Sequence, residues 1–288
     1  MTIQLGIIGF PIGHSLSPVF QQAALDHLKL DAIYSTWEID PGDLGSFIDG
    51  LRSPDIQGIN VTVPHKEAVL PLLDHVDEWA LQAGAVNTIV NRNGALYGYN
   101  TDGIGFIKGL RHNAPFELQN KTVLIIGAGG SARGVVRSLA NESVGNIIIA
   151  NRTLSRAQSL STLSIGLGVP AQAISLDWQE LSIAAVQSEL IVNCTSVGMA
   201  HTSEFGLSPL LLQQISPNSV VYDLVYNPIE TQLLKEAVRA GAAVISGIKM
   251  LVYQGAASFE LWFDRPAPVD VMLESADKAI QNMAESPD

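Results

Sequence analysis

Lys66 closes the run Asn60-Val-Thr-Val-Pro-His-Lys66 and is one of only four Lys or Arg residues in the first hundred positions, with Lys29, Arg52 and Arg92. A cation at the end of an apolar strand, beside Asn60 and Thr62, reads as placed rather than scattered, because open α/β sheets put their ligand sites at strand ends. An amine there can polarise a carbonyl or move a proton. Taken alone, such a lysine also fits a solvated residue starting a helix, so its partners decide. Asp102, in Tyr99-Asn-Thr-Asp102-Gly103, offers a carboxylate to pair with it, and Asn87, in Gly84-Ala-Val-Asn87-Thr88, a further hydrogen-bonding amide. Each of these two also fits a turn or cap when read singly. Together Lys66, Asp102, Asn60, Thr62 and Asn87 form an ammonium–carboxylate pair ringed by hydrogen-bonding groups.

Two other segments could hold a ligand. Gly9-Phe-Pro-Ile-Gly-His-Ser15-Leu-Ser17-Pro18 follows the first strand and opens a helix. Its two hydroxyls, Ser15 and Ser17, make a neutral clamp for a carboxylate or hydroxyl, although Ser17 before Pro18 equally fits an ordinary helix N-cap. Farther on, Thr122-Val-Leu-Ile-Ile-Gly127-Ala-Gly129-Gly130-Ser131-Ala132 has the spacing G-x-G-x-x-A between a β-branched strand and a helix. Gly127 permits the tight turn, Gly129 lets backbone approach a pyrophosphate, and Ala132 allows close helix–strand packing. NAD binders usually carry Asp or Glu at the end of the next strand. Here the run is Asn151-Arg152-Thr153, with Arg156 one turn on. Cations and a hydroxyl stand where a 2′-phosphate would sit, which points to NADP rather than NAD; a helix start with exposed arginines would look similar.

These groups need a scaffold, and the composition supplies one. The 288 residues are 47% hydrophobic and 15% charged, enough for two domains with separate cores. No apolar run is long enough to span a bilayer, and the first residues read directly as a strand rather than a signal peptide. The net charge of −12, without any basic block, argues against nucleic acid or an anionic membrane as partner. The single cysteine, Cys194, excludes an internal disulfide framework and suits a reducing cytoplasm, or a plastid-like stroma if the chain is a processed mature form. It reads as a neutral thiol, since no His partners it. No His, Cys or carboxylate group has metal-ligand spacing, so no metal is expected.

Short apolar runs alternate with amphipathic stretches, the α/β pattern. Strands are predicted near Leu5–Gly9, Ile33–Ile39, Gly58–Val61 and Ala85–Asn91, and helices near Pro18–Leu28, Leu44–Leu51 and Lys66–Asp74. Asn91-Arg-Asn-Gly94 predicts a hairpin between Val86–Val90 and Ala95–Tyr99, placing antiparallel pairing on an otherwise parallel sheet. A helix at Gly103–Leu110 leads through His112-Asn-Ala-Pro115 to a second series. That series has strands at Thr122–Ile126, Asn146–Ala150, Leu190–Asn193, Val220–Leu224 and Ala243–Ile245, with helices at Ser131–Ala140 and Thr231–Ala240. The tail reads as two helices, Met250–Phe263 and Val269–Met283.

In this order, G-x-P-x-x-H-S-x-S-P, N-V-T-x-P-x-K, G-A-x-N-T, N-T-D-G, G-A-G-G-S-A-R-G and N-R-T are followed by N-x-T-x-x-G-M at Asn193–Met199 and D-x-x-Y-x-P at Asp223–Pro228. Gly247-Ile-Lys-Met-Leu-Val-Tyr-Gln254 comes last. This series resembles the shikimate dehydrogenase family. The resemblance implies an α/β fold of two domains: an N-terminal substrate domain with a mixed sheet, residues 1–103 and 249–288, and a Rossmann-like doubly wound NADP domain, residues 104–248. The C-terminal helices would return to the substrate domain, with the site in the cleft between. It implies NADPH-dependent, reversible reduction of 3-dehydroshikimate to shikimate on the route to chorismate and the aromatic amino acids. A quinate/shikimate dehydrogenase using NAD is the alternative, and Arg152 argues against it. The expected partners are these small molecules alone, with the chain a monomer or homodimer. By motif, Ser15 and Ser17 would bind the carboxylate, and Asn60, Thr62, Asn87, Asp102 and Gln254 the ring hydroxyls. Lys66 would sit beside the reacting oxygen and Tyr226 in the cleft. Gly127, Gly129, Gly130, Ser131 and Ala132 would meet the pyrophosphate, and Asn151, Arg152, Thr153 and Arg156 the adenosine phosphate. Thr195, Val225, Gly247 and Met250 would lie near the nicotinamide end. One departure is Gln21, where the family often has His; it implies local repacking rather than lost binding.

Overall fold

The computed structural model describes residues 2–113, 116–200 and 202–285. The chain divides into two compact units, Met1–Gly105 with Leu251–Asp288, and Phe106–Met250. Ala114 and Pro115, in the predicted join between the series, lie outside the described residues. No helix among the described residues is long and apolar enough to cross a membrane.

The first unit is built on β1 (Ile3–Gly9), α1 (Ser17–His27), β2 (Ala32–Glu38), α2 (Leu44–Gly50), β3 (Ile56–Val61), β4 (His75–Val76), α3 (Glu78–Ala83), β5 (Thr88–Arg92) and β6 (Ala95–Tyr99). Its sheet runs β2-β1-β3-β5-β6-β4. β1 pairs in parallel with β2 and β3, while β3–β5 and β5–β6 are antiparallel. The sheet is therefore mixed, and the hairpin turns at Asn93 and Gly94, both at positive φ, as a two-residue primed turn requires. Ile8, Ile48, Ile59, Val61, Val69, Val86, Ile89 and Leu96 close one core of this unit.

The helix predicted over Lys66–Asp74 does not form. Turns run from Val63 to Val69 and a short 3₁₀ helix covers Leu70–Leu72. Pro71 removes a backbone donor and crowds the preceding turn, which stops an α-helix from passing through. The strand predicted from Ala85 begins only at Thr88, because Gly84 ends α3 in the left-handed conformation and Ala85–Asn87 form a connector.

α4 (Asp102–Asn113) leads out of the first unit, and α9 (Ile248–Phe263) leads back before α10 (Val269–Glu285). Gly58 decides how α9 sits on the sheet. A Cβ there would lie 2.7 Å from Trp262 Cδ1, and Trp262 Nε1 donates to Ile89 O at 3.0 Å. Only a residue without a side chain lets the indole lie across β3 this closely. That contact sets Ser258 and Gln254, one and two turns back along α9, above β3 and β5.

The second unit contains β7 (Thr122–Ile126), α5 (Gly130–Asn141), β8 (Asn146–Ala150), α6 (Leu154–Gly166), β9 (Ala171–Ile174), α7 (Trp178–Val186), β10 (Leu190–Asn193), β11 (Val220–Asp223), α8 (Gln232–Ala240) and β12 (Ala243–Ile245). Its sheet is parallel throughout, in the order β12-β11-β10-β7-β8-β9. The chain reverses direction across the sheet between β7 and β10, the point where doubly wound sheets bind ligands at their C-terminal ends. The buried strands are near-continuous Val, Leu and Ile, as expected for a parallel sheet covered on both faces.

Candidate functional site

In the first unit the loop after β3 presents Lys66, and backbone contacts fix it from both sides. His65 N donates to Thr62 O at 2.9 Å, and Val86 N donates to Lys66 O at 2.8 Å. The His65 ring donates from Nε2 to Ile39 O at 2.8 Å. Lys66 Nζ then donates to Asp102 Oδ2 at 2.5 Å, with side chains only 11% and 5% exposed. Asp102 lies in the first turn of α4, where the helix dipole favours a carboxylate.

Asn87 Nδ2 donates to the other carboxylate oxygen, Asp102 Oδ1, at 2.9 Å, and to Gln254 Oε1 at 3.2 Å. Its orientation is not arbitrary: Asn87 Oδ1 accepts from the Thr101 backbone N–H at 2.8 Å. A backbone amide can only donate, so the oxygen must face it and the nitrogen must face Asp102. Asn60 Nδ2 meets Asn87 O at 3.2 Å and Ser258 Oγ at 2.9 Å, and its Oδ1 accepts from the Tyr34 hydroxyl at 2.7 Å. Thr62 is half-buried in the same loop. The structure thus gathers Lys66, Asp102, Asn87, Gln254 and Asn60 into one hydrogen-bonded group.

At the clamp, Ser15 Oγ accepts from Ser17 N at 3.3 Å. Ser17 is the first residue of α1 and does not cap it; the N-cap position is Leu16. Its hydroxyl instead donates to Tyr34, whose burial holds the phenol well above its usual pKa range against that bond. Tyr34 therefore stays a neutral donor. Gln21, also buried, donates from Nε2 to Gly255 O at 2.9 Å and joins α1 to α9.

The second unit holds the glycine turn. Gly127 has φ +108°, which an L side chain rarely adopts, and a Cβ would stand 3.0 Å from Thr195 Cγ2. At Gly129 the space a Cβ would fill is open, leaving room for another group to approach the backbone. Gly130 and Ser131 begin α5, and Ala132 is fully buried beneath them. Asn151 Nδ2 donates to Thr153 O at 2.9 Å. Thr153 occupies the N-cap of α6 without using its hydroxyl as a cap, and Arg152 and Arg156 are exposed beside it.

Buried Asn193 and Asp223 organise the nearby loops. Asn193 Oδ1 accepts from Thr195 Oγ1 at 2.6 Å, and Asn193 Nδ2 donates to Asp223 Oδ1 at 2.9 Å. Asp223 also accepts from Val225 N at 3.0 Å and from Thr231 Oγ1 at 2.6 Å. Thr195 and Val225 are thereby tied together, and a Cβ on Gly247 would lie 3.0 Å from Val225 O. Met250 is buried nearby in the chain, while Tyr226 is half-buried. Among the described residues no group of three or more His, Cys, Asp or Glu side chains could hold a metal ion.

Burial is the main influence on Asp223 and pushes its carboxyl up to about 6, against the three donors that favour the anion. Between its ordinary value of 3.8 and about 6 the folded protein holds a proton that the unfolded chain has released. The stability this contributes is full below that window and lost as pH rises through it, on the order of 2–3 kcal/mol. Asp223→Asn is expected to flatten that part of the curve of Tm against pH. A variant slope matching wild type would assign the dependence elsewhere.

Four polar residues of the site escaped the sequence reading: Tyr34, Thr88, Thr101 and Ser258. Thr88 and Thr101 stood inside quoted motifs without a role. Ser258 lies four residues after Gln254, hence on the same helix face, a spacing that could have found it. Tyr34 carried no local signal.

Comparison with known proteins bears on the whole chain. Residues 7–89 match the family model of the shikimate dehydrogenase substrate binding domain, residues 110–207 that of shikimate/quinate 5-dehydrogenase, and residues 247–276 that of the shikimate 5′-dehydrogenase C-terminal domain. A shikimate dehydrogenase (NADP(+)) of Geobacillus kaustophilus is 42% identical over 96% of this chain and 98% of its own. One from Moorella thermoacetica is 45% identical over 93% and 90%. The crystal structure of shikimate 5-dehydrogenase from Thermus thermophilus, in complex with NADP(H) and shikimate, superposes with a TM-score of 0.85 at 34% identity, covering 96% of this chain and 99% of that one. With identity at this level over nearly its full length, the chain belongs to the shikimate dehydrogenase family.

Proposed function

We propose that this protein reduces 3-dehydroshikimate to shikimate reversibly with NADPH. The observation that carries the reading is the Lys66–Asp102 pair, with Asn87 and Gln254 turned onto it. When bound, NADPH supplies the hydride. Lys66 holds a proton at Nζ and a positive charge for the oxygen that becomes an alkoxide. Asp102 keeps that ammonium in place and accepts from the adjacent ring hydroxyl. Asn87 and Gln254 orient the remaining hydroxyls, while Ser15 and Ser17 receive the carboxylate. The residues of the second unit fit the cofactor: an open backbone at Gly129, a helix N-terminus at α5, and Arg152 with the uncommitted Thr153 hydroxyl for a 2′-phosphate. We place the reaction in a reducing, cytoplasmic compartment with small molecules as the partners, the chain a monomer or homodimer.

Shikimate-dependent reduction of NADP+, run beside NAD+ and quinate, tests the reading; the absence of turnover with shikimate would refute it. In the same assay Arg152→Ala is expected to raise KM for NADP+ about 10–100-fold, the worth of a charge-assisted phosphate contact. KM for NAD+ should hold within about twofold, since NAD+ lacks the group that Arg152 would bind. Equal effects on both cofactors would remove Arg152 from the phosphate site.

A further inference from the structure

The hydroxyls beneath the site form one continuous hydrogen-bonded chain. Two backbone groups fix the amides at its middle and end. Asn87 O accepts only, so Asn60 Nδ2 must face it, which leaves Asn60 Oδ1 to accept from Tyr34. The Thr101 N–H donates only, so Asn87 Oδ1 must face it, which turns Asn87 Nδ2 to Asp102. The hydroxyls lie between these two amides. Thr88 Oγ1 meets Asn87 Oδ1 at 2.9 Å and Ser258 Oγ at 2.7 Å, and Ser258 Oγ also meets Gln254 O, one turn back on α9, at 3.0 Å. Ser258 Oγ in turn accepts from Asn60 Nδ2 at 2.9 Å. From the clamp side, the Tyr34 hydroxyl donates to Asn60 Oδ1 at 2.7 Å. Asn60 Nδ2 then donates to Ser258, Ser258 and Thr88 are hydrogen-bonded to each other, Thr88 meets Asn87 Oδ1, and Asn87 Nδ2 donates to Asp102, which holds Lys66.

Tyr34, Thr88 and Ser258 are buried, at 5%, 0% and 0% exposure. They come from β2, β5 and α9, so no one element could hold the arrangement alone. Asn60, anchored by Tyr34 at one end and Ser258 at the other, has its amide committed to the protein. We infer that Tyr34, Thr88 and Ser258 are positioning residues for the reaction: acting as one chain, they fix the amides of Asn60 and Asn87 and, through Asn87, the carboxylate that holds Lys66. This rests on the dehydrogenase reading above.

The test removes one hydroxyl at a time with little change of shape: Tyr34→Phe, Thr88→Val and Ser258→Ala. Each is expected to lower kcat for shikimate oxidation about 5–50-fold with KM for shikimate within about threefold, since the effect falls on alignment rather than binding. Thr88→Ser, which keeps the hydroxyl, should restore kcat to within about twofold. The double variant Tyr34→Phe/Ser258→Ala should be no worse than the poorer single by more than about twofold, because a chain already broken loses little from a second break. Losses that multiply, unchanged kcat in Thr88→Val, or effects confined to KM would each overturn the inference. A variant that fails to fold, judged by circular dichroism, leaves the decision to Thr88→Val against Thr88→Ser, which differ from wild type by one group each. Wild-type protein without shikimate turnover would instead defeat the functional reading, so the two failures are distinct.

Discussion

Replacing Lys66 by alanine is expected to lower kcat for shikimate oxidation about 10²–10⁴-fold, with KM for shikimate changed less than about fivefold. The geometry separates the two quantities. One ammonium proton is committed to Asp102 at 2.5 Å, and the others remain for an oxygen that gains charge only as hydride moves. In the proposed reading the ground-state contacts would belong to other side chains, Ser15, Ser17, Asn87 and Gln254, which the substitution leaves in place. Interactions that strengthen in the transition state act on kcat, whereas uniform binding acts on KM. Lys66→Arg then separates proton transfer from fixed charge, because a guanidinium keeps its charge but does not release a proton near neutrality. If Lys66 supplies the proton, arginine should be nearly as poor as alanine. Recovery to within about tenfold of wild type would make it an electrostatic stabiliser. A loss confined to KM would make Lys66 a binding residue and remove it from the chemistry.

Lys66 was legible because it combines rarity with position, a scarce cation after an apolar strand, and Asp102 because a polar Asn-Thr-Asp run interrupts an apolar pattern. The glycine turn was legible for a stronger reason: strand, turn and helix each carry their own local signal and agree. What escaped was set by contacts distant in sequence. Tyr34 reads as one more aromatic on a strand, and only Asn60, 26 positions away, gives its hydroxyl a purpose. Ser258 joins Asn60 across 198 positions, and Gly58 admits Trp262; no local window contains such pairs. The missed helix at Lys66–Asp74 has a local cause that was visible, Pro71, outweighed by the apolar spacing around it. Ser17 shows the reverse case. Its sequence fits an N-cap, yet tertiary structure gives the hydroxyl to Tyr34 and leaves the cap position to Leu16.

Asp102→Ala is expected to destabilise the protein by about 2–3 kcal/mol, and by more than Lys66→Ala does. Removing one member of a buried pair leaves the other without its counter-charge, so the cost depends on what the survivor retains. After Lys66→Ala the carboxylate keeps the Asn87 amide at 2.9 Å and a place in the first turn of α4, two influences that favour an anion. After Asp102→Ala the ammonium keeps no counter-charge among the described residues, for Asp102 is the acidic side chain it meets there. Its side chain is 11% exposed, so water can solvate it in part, which places the loss at or just below the low end for a broken buried pair. The double variant should lose less than the sum of the singles, because neither charge is then stranded. Urea unfolding at neutral pH measures all three. Equal losses in the two single variants, or a larger one in Lys66→Ala, would show that Asn87 and the helix terminus do not hold the carboxylate. The alignment assigned to the chain from Tyr34 through Ser258 would then have no rigid end to act on.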